Sequence, residues 1–142
     1  EPRVEAKGCQ QAVGDVLLTP TQIYVRPLRD VLAHYKVKNV VHGIAHITGG
    51  GLLENLSRIL PGDVSAGIAR GSWDMPPVFP WIQQLGAVDD EEMDRVFNMG
   101  LGLAVVVSGY YAESIGQQLA KQGCRTWPIG TIVEGDGEAR WQ

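Results

Sequence analysis

The sequence contains no apolar run approaching the roughly 20 residues that a membrane-spanning helix requires, and its start lacks the charged-then-apolar pattern of a secretory leader. A soluble, cytoplasmic chain with no membrane partner is therefore expected. Cysteine is scarce. Cys9 and Cys124 stand near opposite ends, without the paired spacing of a metal site or a local histidine to activate a thiolate, so both are expected to be reduced thiols. Basic residues are few, 12 against 16 acidic ones, and scattered, which argues against nucleic acid as a partner. No internal repeat is present. At 142 residues the chain suits one domain, a size that buries about 68–70% of the extended-chain surface and so supports a single real core.

Glycine, by contrast, is abundant, with 18 residues placed mostly where elements end. The densest cluster lies in His46-Ile47-Thr48-Gly49-Gly50-Gly51-Leu52-Leu53-Glu54-Asn55. An apolar run over 40–47 stops at the three glycines, after which Leu52, Leu53, Leu56, Ile59 and Leu60 recur at helical spacing. Strand, tight loop, helix is the expected order. Inside a regular element each glycine costs about 1 kcal/mol and brings no side chain to pack, so three in a row point to close approach by another group. A glycine loop feeding a helix N-terminus offers bare N–H groups and a positive dipole end, which suit a phosphate. His46 and Thr48 flank the loop as further donors. A turn kept for backbone geometry alone is the competing reading. Strand alternation puts His42, Ile44 and His46 on one face, yet no third ligand and no carboxylate accompany the two histidines, so no metal site is expected.

Along the chain, residues 1–13 read as a linker or disordered start and 14–142 as the domain. Ile23, Tyr24 and Val25 read as a short strand, and Pro27 opens a helix whose apolar stripe is Leu28, Val31, Leu32 and Tyr35. The helix after the glycine loop is closed by Pro61-Gly62-Asp63, with Glu54 and Arg58 paired on its exposed side. A strand over 64–69 carries the small residues Ser65, Ala66 and Gly67, which admit close packing. Arg70 either anchors an anion or packs on Trp73. Pro76 and Pro77 open a helix that Gly86 ends as a left-handed cap; Asp89 with Glu92 forms a capping box for the next, which turns Met93, Val96 and Phe97 inward. Residues 103–107 form the most continuous apolar stretch, expected to be a central strand with both faces covered. Tyr111, Ile115 and Leu119 mark a helix that ends by Gly123. Trp127, Ile129, Thr131 and Val133 alternate as a last strand, which Gly135-Asp136-Gly137 folds back as a hairpin. Helices interrupting strands this regularly imply an α+β fold with a helix-covered sheet.

The glycine string resembles the signature of the phosphoribosylformylglycinamidine cyclo-ligase (aminoimidazole ribonucleotide synthetase) family. Further matches follow in the family's order: Leu17-Leu18-Thr19-Pro20-Thr21 with Ile23-Tyr24-Val25, Arg70-Gly71-Ser72-Trp73, Pro76-Pro77-Val78-Phe79, Phe97-Asn98-Met99-Gly100-Leu101-Gly102 and Ile129-Gly130-Thr131-Ile132-Val133. The likeness spans roughly 14–135 and covers only the C-terminal half of the family's enzyme. It implies a three-layer α/β/α domain with a mixed sheet, and an ATP-dependent ring closure giving aminoimidazole ribonucleotide, ADP and phosphate. The resemblance further implies that ATP and Mg²⁺ are held by an N-terminal ATP-binding domain, with none expected on this domain alone, and that the full-length enzyme is a homodimer. For this domain it implies a small phosphorylated substrate touched by His46, Thr48, Gly49, Gly50, Gly51, Asn55, Asn98 and Gly100. The alternative is a standalone, non-catalytic module that binds a phospho-metabolite or a partner.

Overall fold

The computed structural model describes residues 3–6 and 9–142, with side chains from residue 12 onward. Of the linker expected over 1–13, residues 1, 2, 7 and 8 lie outside the described residues, and the structure gives the backbone of the rest as β1 (Arg3–Ala6) and β2 (Cys9–Ala12), paired antiparallel, and the first residue of a helix. Helices α1 (Val13–Leu17) and α2 (Val25–His34) follow. The short strand expected at Ile23, Tyr24 and Val25 does not form. Residues 19–24 are irregular, and Val25 already belongs to α2. Pro27 has no N–H to offer and fits the first turn, where none is needed, so helix geometry wins over the β-branched run.

The remaining elements are β3 (Val41–His46), α3 (Gly51–Ser57), β4 (Val64–Ile68), α4 (Val78–Gly86), α5 (Asp90–Val96), β5 (Leu103–Val107), α6 (Ala112–Ala120), β6 (Gly130–Glu134) and β7 (Ala139–Trp141). The fold is α+β, as expected, and none of the described helices is long and apolar enough to cross a membrane. Capping chemistry sets several boundaries. Asp89 accepts the Glu92 N–H at 2.8 Å to start α5, as the capping box predicts. The left-handed residue ending α4 is Ala87 at φ 47°, one position beyond the expected Gly86.

Strand β3 pairs antiparallel with β5, and the register slips between Val41 and Gly43, leaving His42 as the extra residue. The bulge removes His42 from the face it was expected to share with Ile44 and His46. Its Nε2 lies 2.8 Å from Ser108 Oγ instead. One face of this ribbon, through Ala45, Ala104 and Val106, packs into the main core with Leu52 and Leu56 of α3 and Met93 of α5. At the opposite end Val41 and Val107 join a second cluster under α2 and α6, built on Val31, Ile115 and Leu119. The expected central strand covered on both faces is corrected: among the described strands β5 is hydrogen-bonded along one edge only, Ala104 alone of its residues is buried, and the face it shares with Ile44 and His46 is open except at the Val41–Val107 end.

Three strands form the mixed sheet in the order β6-β4-β7, with β4 antiparallel to β6 and parallel to β7. The expected hairpin between the last two strands is corrected: they flank β4 from opposite sides. The intervening turn wraps the start of β4, because the Gly135 N–H donates to Asp63 O and the Gly137 N–H to Val64 O. Buried Ser65 donates to Asp136 Oδ1 at 2.9 Å and accepts from the Asp136 N–H at 3.1 Å. Arg140 clamps the same carboxylate through both guanidinium nitrogens, at 2.8 and 2.6 Å.

That clamp makes the crossover sensitive to acid. The Arg140 guanidinium, and after it the Ser65 hydroxyl, hold the Asp136 carboxyl well below the usual carboxylate range. A folded-state pKa below the unfolded value of about 3.9 means the stabilisation is present above that pH and is lost as pH falls further. Asp136→Asn is expected to flatten the acid limb of stability below about pH 4 while changing little of its slope near neutrality. Urea midpoints of both proteins across pH 7 to 2.5 check this; parallel acid limbs would show that the clamp is not coupled to folding.

Candidate functional site

The glycine loop leaves β3 where Ile47, the next residue, donates its N–H to Gly102 O at 3.0 Å and His46 stands opposite Leu103. Both glycine-rich segments, 48–51 and 98–102, therefore meet at one end of the β3–β5 ribbon. His46, Thr48 and Gly49 are exposed there, Gly50 is half-buried and Gly51 is buried. The His46 ring has no hydrogen-bond partner among the described residues, so both ring nitrogens stay available to solvent or ligand.

The expected seat of three free amides is corrected by the loop's own hydrogen bonds. Gly50 donates its N–H to Arg95 O at 2.9 Å, and Gly51 to Thr48 O at 3.0 Å. Only Gly49 keeps an N–H without a partner among the described residues. The reason is the approach of α5. A Cβ on Gly51 would lie 1.7 Å from Asp94 O and 3.4 Å from Phe97 O, so the last carbonyls of α5 abut the first turn of α3. The positive end of one helix meets the negative end of another, and the protein itself supplies the negative charge an anion was expected to bring. Gly50 and Gly51 stand at φ 95° and 64°, a left-handed region that glycine enters without strain.

Asn55 is likewise corrected. It is 6% exposed and turned into the loop, not toward solvent. Its amide group donates to Gly51 O at 2.8 Å, Gly49 O at 3.2 Å and Thr48 O at 3.3 Å. Its Oδ1 accepts from Arg58 at 3.2 Å and, at 3.4 Å, from the Thr48 hydroxyl. With both ends of the side chain engaged, Asn55 holds the loop's shape and has nothing left for a ligand.

Across the ribbon end, Asn98 Oδ1 accepts the Gly100 N–H at 2.9 Å, closing a turn in which Met99 and Gly100 both have positive φ, 49° and 95°. A Cβ on Gly100 would come within 2.3 Å of Pro76 Cδ, so this glycine answers both conformation and contact. The Asn98 amide nitrogen and the half-buried edge of this turn remain at the site's margin.

Three supporting residues carried no local signal of their role. Trp73 Nε1 donates to Met99 O at 2.9 Å and pins the second turn. Tyr24 lays its phenol over Gly102, where a Cβ would be 2.2 Å from the hydroxyl oxygen. Arg95 contributes a main-chain carbonyl, which no side-chain pattern announces. Arg70 does not reach Trp73; its guanidinium stacks 4.1 Å from the Trp141 ring and stands 2.7 Å from Asp94 Oδ2, an ion contact without hydrogen-bond alignment.

The carboxylates around the loop are all committed to arginines: Glu54 to Arg58, Asp94 to Arg70 and Glu92 to Arg95. Glu54 also folds over Gly50, its Oε2 lying 2.3 Å from where a Cβ on that glycine would stand. Among the described residues no three histidine, cysteine or acidic side chains gather as a metal site would require. Mg²⁺ is held through one or two carboxylates together with waters and substrate phosphates, and each carboxylate beside this loop is engaged by an arginine.

The sequence model of the family described as AIR synthase related protein, C-terminal domain, matches residues 2–142. Phosphoribosylformylglycinamidine cyclo-ligase of Nitrosospira multiformis is 50% identical over 124 residues, 87% of this chain and 34% of the relative. The enzyme of that name from Burkholderia mallei is 44% identical over 140 residues, 98% of this chain and 39% of the relative. That from Pseudothermotoga lettingae is 47% identical over 127 residues, 89% and 36% of the two lengths. The chain thus spans between a third and two-fifths of the curated relatives it matches.

Proposed function

This chain belongs to the family of AIR synthase related proteins, as their C-terminal domain, and from that premise we propose that it is the substrate-side domain of a phosphoribosylformylglycinamidine cyclo-ligase of purine biosynthesis. The reaction is an ATP-dependent ring closure. ATP phosphorylates the formyl oxygen of formylglycinamidine ribonucleotide, an amidine nitrogen attacks the activated carbon, and phosphate leaves with that oxygen to give aminoimidazole ribonucleotide and ADP. Phosphoryl transfer of this kind needs ordered phosphates, neutralised charge and exclusion of water. No step is assigned to Mg²⁺ on this chain, because its nearby carboxylates are already paired. Nucleotide and metal fall to an N-terminal portion of the enzyme, and this domain alone is proposed not to close the ring.

The observation that carries the reading is the convergence of the two glycine segments at one ribbon end, with His46, Thr48 and Gly49 exposed there. The phosphorylated substrate is held by the His46 ring, the Thr48 hydroxyl and the Gly49 amide, the one N–H of the three-glycine run without a partner among the described residues. Asn98 and Gly100 form the opposite margin; Gly50, Gly51 and Asn55 shape the loop behind it. Calorimetric titration of the 142-residue chain with formylglycinamidine ribonucleotide tests this. His46→Ala and Thr48→Val are each expected to weaken binding about tenfold, the 1.4 kcal/mol of one lost charge-assisted contact. Unchanged affinity in both variants would remove the site from this end of the ribbon. Turnover by the purified chain would overturn the division of labour.

A further inference from the structure

Apolar side chains left in water are unevenly distributed along this chain. Leu17, Leu18, Ile23 and Val25 are 58, 82, 78 and 65% exposed, and Leu32, two turns along α2 from Val25, is 45% exposed. Single exposed leucines are ordinary, but a cluster of large apolar residues in one short segment marks a surface that is covered in the working protein. The segment is anchored. Gln22 donates to Cys124 Sγ at 3.1 Å, and Tyr24 packs on Gly102, where burial, and after it the neighbouring Cys124, pushes its phenol pKa up. Tyr24 is thus half-buried while Ile23 and Val25 on either side of it face out. A free surface gives no reason to hold these large apolar side chains in water on a segment that is anchored through both Gln22 and Tyr24.

We infer that Leu17, Leu18, Ile23 and Val25 form the docking surface for the N-terminal, nucleotide-binding portion of the same enzyme. The inference rests on the cyclo-ligase reading and adds to it the place where the two portions meet. The relatives are more than twice as long as the stretch they share with this chain, and that stretch is a C-terminal domain, so a larger body of polypeptide precedes it in them. The exposed segment lies near the start of the shared stretch, where that body is closest along the chain. It also borders the site, since Gly102, under Tyr24, accepts the Ile47 N–H one residue beyond His46. A body seated on this segment closes over the ribbon end and brings its nucleotide to His46 and Thr48.

The test compares the 142-residue chain alone with the chain fused behind the N-terminal portion of the Nitrosospira multiformis relative. Amide hydrogen exchange over residues 17–25 is expected to slow at least about tenfold in the fusion. Leu18→Glu with Ile23→Glu is expected to abolish that protection and to split the fusion's single thermal transition in two, while leaving the melt of the chain alone unchanged. Equal exchange in chain and fusion overturns the inference. So does concentration-dependent protection of the chain alone together with a dimer mass, which makes a second copy the occupant. If the double variant unfolds the chain alone, the wild-type exchange comparison still decides. The two proposals fail separately. Ring closure by the fusion without protection over 17–25 overturns the docking surface only, and protection without ring closure overturns the cyclo-ligase reading only.

Discussion

Gly51→Ala is expected to cost the domain about 3 kcal/mol, lowering its melting temperature by roughly 10 °C. Two independent penalties add. At φ 64° the backbone of residue 51 sits where an L side chain is strained, and a Cβ there would lie 1.7 Å from Asp94 O. The second penalty cannot be relieved by a side-chain rotation, because the obstructing atom is a main-chain carbonyl at the end of α5. Helix α3 must move away from α5, which opens the core between Leu52, Leu56 and Met93 and breaks the Gly50 N–H to Arg95 O bond. Gly49→Ala is the control. Its added methyl meets nothing within 4 Å, and its φ is not in the left-handed region, so its stability is expected to stay within about 0.5 kcal/mol of the parent. Denaturation of both variants separates the two reasons for a glycine run. A similar large loss at both positions would mean that the loop, and not the helix contact, sets the requirement; no loss at Gly51 would mean that the α3–α5 abutment is not needed for folding.

The same contrast explains what was legible in the sequence. Local chemistry was readable: the glycine loop between β3 and α3, the Asp89 cap, the Glu54–Arg58 pair, and the separate apolar stripes that turn Val31 of α2 and Ile115 and Leu119 of α6 inward each follow from spacing within one segment. Long-range contacts were not. Nothing near Gly51 in sequence announces that Asp94 O will stand against it, so a loop read as open for an anion is in fact filled by a helix end. The passage of the last turn around β4 depends on Ser65 meeting Asp136, which are distant along the chain. The bulge at His42 exists because β3 is matched to β5, and alternation within β3 alone cannot show it. At the site, the exposed members His46, Thr48 and Gly49 were readable as donors beside a loop, while Asn55 was misassigned because a polar residue one turn into a helix looks the same whether it faces ligand or loop.

Asn55→Leu is expected to lose about 3 kcal/mol, nearly the effect of Gly51→Ala, for a different reason. Leucine keeps asparagine's branching, though it is bulkier, and is more apolar, so its burial at 6% exposure would by itself favour the change. What it removes is one amide group serving three loop carbonyls, those of Gly51, Gly49 and Thr48, at 2.8, 3.2 and 3.3 Å. With two hydrogens for three acceptors, the amide makes the bond to Gly51 O and shares its other hydrogen between Gly49 O and Thr48 O, about 1 kcal/mol net for each hydrogen, and the carbonyls left without this partner add the rest. Asn55→Asp sharpens the test because it keeps the shape and reverses the hydrogen bonding. A carboxylate oxygen then faces carbonyl oxygens, while Arg58, 3.2 Å from the other oxygen, offers partial compensation. Burial among acceptors raises the folded-state pKa of the new carboxyl above its unfolded value near 3.9, so the protonated form is the one the fold tolerates. The protonated group donates to one carbonyl, and stability therefore falls as pH rises through the interval between the two values. Asn55→Asp is expected to approach the parent most closely near pH 4 and to diverge from it toward pH 7, whereas Asn55→Leu keeps a constant deficit across that range. Urea midpoints at both pH values check this. A pH-independent deficit in the aspartate variant would place its carboxylate in solvent, and with it the asparagine amide that now closes the loop.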